Sequence, residues 1–270
     1  MGLLISAEEL ASLSDWVIFD CRFSLMDPDM GRNQYTQAHI PDARYADLNL
    51  DLSAEPGKGG RHPLPDRESL AEQLRIWGVH NDSIIACYDQ NSGAFAARLW
   101  WLLRWLGHEA VFVLDGGLDA WLNTGFSTDG NIVNPARGNF IAGSPATRTC
   151  DAEELPNDSI RLLDAREPER FRGEKEPIDP VAGHIPGATC ATFTDNISEG
   201  RFKSPMALRD QFEMLDIEQD DDIACYCGSG VTATHNILAL LIAGYDEPAL
   251  FPGSWSEGIT DPARPISTGP

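Results

Sequence analysis

Positive charge is scarce in this chain. Its 270 residues carry 20 Lys and Arg against 42 Asp and Glu, a formal net charge of −22. A surface of that sign repels nucleic acid and anionic lipid, so neither is expected as a partner. The deficit runs through both halves, with 10 basic against 19 acidic residues in 1–137 and 10 against 23 in 138–270. An anionic substrate must therefore be drawn in by a few local arginines. The chain also lacks any Cys-x-x-C pair and any Cys/His spacing of zinc type, so neither a metal nor another cofactor is expected. The six cysteines, at 21, 87, 150, 190, 225 and 227, do not make a chain of this length a disulfide scaffold. A reducing cytoplasm suits them best. No apolar run is long enough to span a membrane, and no basic segment precedes one as in a secretory signal. The start, Met1-Gly2-Leu3-Leu4-Ile5-Ser6, formally matches a myristoylation pattern. The stronger reading makes Leu3 to Ile5 a short strand and Ser6 to Glu9 a capping box that opens a helix.

What is present is written twice. Asp20-Cys21-Arg22 recurs as Asp164-Ala165-Arg166, an offset of 144, and His39-Ile40-Pro41 as His184-Ile185-Pro186, an offset of 145. Ala86-Cys87-Tyr88-Asp89 recurs as Ala224-Cys225-Tyr226-Cys227 (138), and Gly116-Gly117 as Gly253-Ser254 (137). Repeats of that spacing imply two domains of one fold. We place them at 1–135 and 136–270, with a linker in Asp129 to Thr147, which is rich in Gly, Pro, Asn and Ser. Strands are expected at Val17 to Phe19, Ile84 to Tyr88 and Val111 to Leu114, and again at Arg161 to Leu163, Ile223 to Tyr226 and Ala249 to Phe251. Helices run from Phe95 to Leu106 and from Val231 to Ala243, stopped by Gly107 and Gly244. Strands alternating with helices predict an α/β fold, a parallel sheet flanked by helices in each domain.

The repeat acts as an internal control on the cysteines. Cys87 and Cys225 are twins and read as small buried strand residues; Cys21, Cys150 and Cys190 read as core or surface. Cys227 has no cysteine twin, because Asp89 stands in its place. It ends a strand, and a loop of small residues leads from it into a helix. That puts one thiol at the positive end of a helix dipole, within a ring of backbone N–H groups. Such a setting favours the thiolate, the nucleophilic form. Thiol chemistry is therefore expected of the second copy alone. A cysteine phosphatase needs a longer Cys-x₅-Arg loop, and the sixth residue after Cys227 is Ala233. A passive sulfur-carrying or partner-binding module is the other alternative, the route Asp89 marks for the first copy.

Cys227-Gly228-Ser229-Gly230-Val231-Thr232-Ala233 resembles the active-site loop of the two-domain rhodanese family. Within that family it is similar to the loop of 3-mercaptopyruvate sulfurtransferases; the thiosulfate-using branch carries bulkier, basic residues after the cysteine. Arg61-His62-Pro63-Leu64-Pro65, Leu114-Asp115-Gly116-Gly117 and Pro252-Gly253-Ser254-Trp255 also fall where the family has them. The resemblance implies tandem rhodanese domains, the first inert. It implies that Cys227 takes sulfur from a small anionic donor as a persulfide. A thiol, cyanide or a thioredoxin-like protein then accepts the sulfur. 3-Mercaptopyruvate is the expected donor and thiosulfate the alternative. N–H groups from Gly228, Gly230, Val231, Thr232 and Ala233 would hold the outer sulfur. Arg170 matches an arginine that binds the donor carboxylate, against a surface pairing with Glu167 or Glu174. His62 matches a histidine that joins Ser229 in a relay, and Trp255 an aromatic that walls the pocket. Arg22 and Arg166, as twins, read as structural ion pairs, and His39 and His184 as structural histidines. Two positions depart from the pattern. Asn49 stands where the relay has an acid, with Asp47 and Asp51 nearby in sequence. Ile178 stands where some members have a second arginine.

Overall fold

The computed structural model describes residues 3–157 and 159–270, so the Met1-Gly2 pattern lies outside it. The chain forms two compact units. One holds the chain up to Ala54, Pro65–Ala146 and Glu199–Arg201; the other holds Glu55–Leu64, Thr147–Ser198 and Phe202–Pro270. The units are thus not contiguous halves. The Gly- and Pro-rich stretch after Asp129 is laid along the first unit instead of hanging between the two. Gly138 N donates to the Arg75 carbonyl (2.8 Å), Phe140 N to that of Val79 (3.2 Å), and the Phe140 ring is buried. Conversely, Glu55–Leu64 comes from the first half of the sequence and packs in the second unit.

Each unit is built on a five-stranded parallel sheet with the same strand order. In the first it runs Leu4–Ile5, Val111–Leu114, Ile84–Tyr88, Trp16–Asp20, Arg44–Tyr45. In the second it runs Arg148–Thr149, Ala249–Leu250, Ile223–Tyr226, Arg161–Asp164, Thr189–Cys190. The α/β reading and the duplication both hold. Apart from Ile84 at the entry of the first, the central strands are buried, as expected of a parallel sheet covered on both faces. Period-two alternation sends Ala224 and Tyr226 into a cluster with Leu162, Ile185, Phe251 and Trp255. Ile223 and Cys225 point to the other face. Cys225 and Cys87 are fully buried, and burial pushes the Cys225 thiol well up. Cys150 is also buried, its thiol pushed up to about 12. The Ser6–Glu9 capping box forms, each partner closing one backbone N–H of the other.

The Asp-x-Arg repeats are buried ion pairs with matching geometry. Arg22 donates to Asp20 through its backbone N–H, Nε and NH2, at 2.6 to 3.0 Å, and Arg166 makes the same set to Asp164 at 2.6 to 3.1 Å. His39 and His184 are structural as well. Each bonds a carbonyl through Nδ1 and stacks on an aromatic ring, Tyr35 in one unit and Phe171 in the other.

In both units the central strand passes through a tight loop into a helix, Ala96–Trp105 in the first and Thr232–Ala243 in the second. Gly244 closes the latter in the left-handed region at φ 90°. In the first unit, Asp89 turns its carboxylate into its own loop. It accepts the N–H groups of Gly93 (2.9 Å), Phe95 (2.9 Å) and Ala96 (3.4 Å). Burial pushes its carboxyl above the usual range, against the pull of those donors. The first-turn N–H groups of a helix have no intrahelical acceptor, and here a side-chain carboxylate supplies one.

Two outcomes follow from these contacts. Asp164→Ala leaves the Arg166 charge buried and unpaired, and costs about 3–5 kcal/mol in chemical denaturation. Asp89→Ala strands its backbone donors at about 1–3 kcal/mol for each group left without an acceptor. Sulfate should raise the Tm of that variant more than that of the parent, because the anion can occupy the emptied ring only in the folded state.

Candidate active site

The second loop begins at Cys227, directly after the strand Ile223–Tyr226. Its thiol is nearly enclosed, with 2% of the residue exposed. The main chain around it is clamped by the segment after the next strand. Ser254 Oγ accepts the Cys227 N–H (3.1 Å), the Cys227 carbonyl accepts Trp255 N (3.0 Å), and the Gly228 carbonyl accepts Ser256 N (2.9 Å). The first unit repeats the last two contacts, Leu118 N to the Asp89 carbonyl and Asp119 N to that of Gln90, both 2.9 Å. Ser254 itself was not singled out from the sequence. It sits at φ 54°, where its twin is Gly117 at φ 55°. A left-handed serine costs about 1–2 kcal/mol; its hydroxyl offsets that by bonding the Cys227 peptide and donating to the Phe251 carbonyl (2.9 Å). The legible signal was the Gly-to-Ser exchange between copies.

Gly230, at φ 75°, lets the loop turn so tightly that a Cβ there would lie 2.1 Å from the Pro252 carbonyl oxygen. Val231 caps the helix that Thr232 opens, and Ala233 is fully buried in its first turn. Val231, Ala233 and Thr234 occupy, 138 residues on, the positions whose N–H groups hold the Asp89 carboxylate in the first unit. The frame matches in sequence position, but the Thr234 N–H closes on the Val231 carbonyl (3.1 Å), where its twin at Ala96 reaches Asp89.

Ser229, two residues past the thiol, has its hydroxyl 2.7 Å from Nδ1 of His62, and both are buried. His62 arrives on Glu55–Leu64, which closes a small Gly57–Gly60 bridge and fixes Arg61 through its N–H on Ser256 Oγ (3.0 Å). Arg61 also lies over the loop. A Cβ at Gly228 would meet a terminal guanidinium nitrogen of Arg61 at 2.7 Å and those of Arg170 at 3.4 and 3.6 Å. Two guanidiniums thus rest on the residue next to Cys227. Arg170 was expected; Arg61 was read only as a flank of His62. Nε of Arg61 is buried and has no hydrogen-bond partner among the described residues. Buried donors are rarely left so.

Arg170 does not pair with Glu167 or Glu174. Its Nε and NH2 grip Glu176 at 3.0 and 2.8 Å, and NH2 also reaches Asp179 at 3.2 Å. Asp179 turns its other oxygen to Arg61, and Glu176 also meets Arg166 at 3.5 Å. Charges alternate along this ladder from Asp164 in the core through Arg166, Glu176, Arg170 and Asp179 to Arg61. Ile178 joins only through its N–H, on Glu176.

Trp255 differs from the expected pocket wall. Its indole packs in the core, bonds the Val181 carbonyl through Nε1 (2.9 Å), and lies 4.8 Å under the Arg166 guanidinium. It serves the loop through its main chain and through Arg166. In the first unit, Asp47 accepts the N–H groups of Asn49 and Leu50 and pairs with Arg32, while Asp51 accepts the Asp47 N–H. Both acids are spent on their own loop, and burial pushes Asp51 up to about 6. Among the described residues, no cluster of three or more His, Cys, Asp and Glu could hold a metal, and no helix is long and apolar enough to cross a membrane. The arrangement offers a nucleophilic thiol, a hydroxyl–imidazole pair that can move a proton beside it, and two guanidiniums for an anion.

The model of the rhodanese-like domain matches the chain twice, at residues 6–124 and 151–260. A Pseudomonas aeruginosa protein named "Probable 3-mercaptopyruvate sulfurtransferase" is 50% identical over 98% of both chains. "Thiosulfate/3-mercaptopyruvate sulfurtransferase 2" of Arabidopsis thaliana is 33% identical over 86% of this chain and 76% of its own. The crystal structure of SseA from Escherichia coli, described among the 3-mercaptopyruvate sulfotransferases, superposes with a TM-score of 0.85 at 30% identity, over 95% of this chain and all of that one. With two matched domains, a shared topology and relatives named for sulfur transfer over its whole length, the chain belongs to the rhodanese-like family and is a sulfurtransferase.

Proposed function

We propose that the second unit moves sulfur from 3-mercaptopyruvate to a thiol acceptor through a persulfide on Cys227, and that the first unit carries no sulfur. The Cys227 thiolate attacks the donor sulfur, and the donor C–S bond breaks. The bonding pair leaves on carbon as the enolate of pyruvate, which takes a proton. Ser229, coupled to His62 Nδ1, is suited to pass that proton. The sulfur stays on Cys227, where the N–H groups of Gly228, Gly230, Val231, Thr232 and Ala233 stabilise its negative charge. In the second half an acceptor thiolate attacks the outer sulfur, and the Cys227 thiolate leaves. Small thiols, cyanide and thioredoxin-like proteins all fit that step. All six cysteines are unpaired, which suits a reducing compartment such as the cytoplasm.

The observation that carries the donor is the pair of guanidiniums over Gly228, one with an unused buried Nε. A planar fork suits a carboxylate better than a point charge does. Arg61 supplies the second cation that Ile178 does not. Thiosulfate is the second reading, because the same guanidiniums would meet its oxygens.

Cys227→Ser should abolish sulfur transfer with the fold intact; on intact-protein mass, a sulfur adduct surviving in the variant would overturn the assignment. Arg61→Ala and Arg170→Ala should each raise KM for 3-mercaptopyruvate by about tenfold to a hundredfold, on the scale of one charged hydrogen bond. The rise for thiosulfate, which has no carboxylate, should be smaller. Side-by-side kcat/KM for the two donors reads this directly.

A further inference from the structure

The ladder of charges ends in a contact that the transfer chemistry does not use. Asp179 lies between the two guanidiniums, one oxygen on Arg61 and the other 3.2 Å from NH2 of Arg170, with its side chain 3% exposed. Arg170 does not depend on it for orientation. Arg170 is already gripped along its Nε–NH2 edge by Glu176, which is itself fixed by the N–H groups of Ile178 and Asp179. Arg61 is anchored through its main chain on Ser256, and its guanidinium meets Asp179 while Nε stays open. Asp179 therefore occupies donors that an incoming carboxylate needs. It also lines, with Arg61, an open groove of about 340 Å³ whose other walls include Pro56, Ile178, Pro180 and Ile259. Those walls are apolar, so Arg61 and Asp179 are its charged features. Without a ligand, the three carboxylates of the ladder balance its three guanidiniums, and any donor anion enters as one negative charge too many.

We infer that Asp179 is a specificity-determining residue, an internal carboxylate that competes with the substrate's carboxylate for Arg61 and Arg170. A donor carboxylate that takes their N–H groups displaces Asp179 toward the groove. The competition lowers affinity for every carboxylate, including the pyruvate left after transfer. It thereby favours release of that product and withholds the site from bland anions that bring no sulfur. The inference rests on the reading of the Cys227 loop as the donor site.

The test is steady-state transfer from 3-mercaptopyruvate by the full chain, with pyruvate as the inhibitor. Asp179→Asn keeps the size and one acceptor and removes the charge. Its inhibition constant for pyruvate should fall about tenfold, and KM for 3-mercaptopyruvate should fall with it, on the scale of one charged contact. kcat should change far less. Glu176→Gln should do the reverse and raise both constants, because Glu176 orients Arg170. If Asp179→Asn loses its cooperative unfolding transition, Asp179→Ser, smaller and also neutral, is read in the same way. Unchanged or raised constants in the neutral variant would overturn the competition and make Asp179 a clamp. Failure of the parent chain to load sulfur on Cys227 from either donor would instead sink the proposed function, so the two failures are distinct.

Discussion

A ring of backbone N–H groups at the start of a helix calls for a negative charge, and much of each unit is arranged around how that demand is met. The groups cannot bond within the helix, and their dipoles add to its field. In the first unit the chain answers with its own carboxylate, and Asp89 locks the loop from inside. In the second the carboxylate is replaced by the Cys227 thiol, to which we assign the sulfur in transfer. On the proposed reading, the exchange of Asp for Cys turns a structural knot into the reactive site. It works only because the surrounding frame, down to the main-chain clamp from Leu118 or Trp255, is common to both.

The second unit also carries features around Cys227 that the first unit lacks. Ser254 replaces a glycine and accepts strain to hold the Cys227 peptide. Glu55–Leu64 brings His62 to Ser229 and Arg61 to Gly228. The buried Asp164–Arg166 pair, shared with Asp20–Arg22, is extended outward through Glu176, Arg170 and Asp179. Buried charge is stable only when each member meets its opposite. The ladder meets that condition by alternation, and so carries guanidinium donors to the rim without leaving a bare cation in the core.

Much of this was legible in the sequence because it depends on local pattern. Ile84–Tyr88, Val111–Leu114 and Ile223–Tyr226 coincide with their apolar runs, and Gly244 ends its helix where a left-handed residue was needed. The twin motifs exposed the duplication, and the missing twin of Cys227 separated it from Cys225. Features that depend on folding at a distance were not legible. That Glu55–Leu64 packs in the second unit is a tertiary choice with no composition signal, so Arg61 read as a flank. The partners of Arg170 proved to be Glu176 and Asp179, six and nine residues on, because the short helix Pro168–Phe171 ends and the chain folds back. Trp255 misled for a different reason. An aromatic beside an active loop has the same letter whether its ring faces the ligand or, as here, underlies an arginine.

The scarcity of positive charge now has a more specific meaning. A net charge of −22 repels an anionic donor at long range, but salt screens that field beyond roughly 8–10 Å. What the donor meets on arrival is the local sum, and around Gly228 that sum is close to zero, since Glu176 and Asp179 are set against Arg170 and Arg61. Under the proposed transfer from 3-mercaptopyruvate, a site with bare arginines would bind donor and product alike, and would hold pyruvate after the sulfur had gone. Binding energy that is equal before and after the chemical step does not speed it. If Asp179 competes as inferred, neutralising the arginines in the empty site gives up general anion affinity and leaves discrimination to the Cys227 thiol, where a sulfur-bearing donor differs from other small acids.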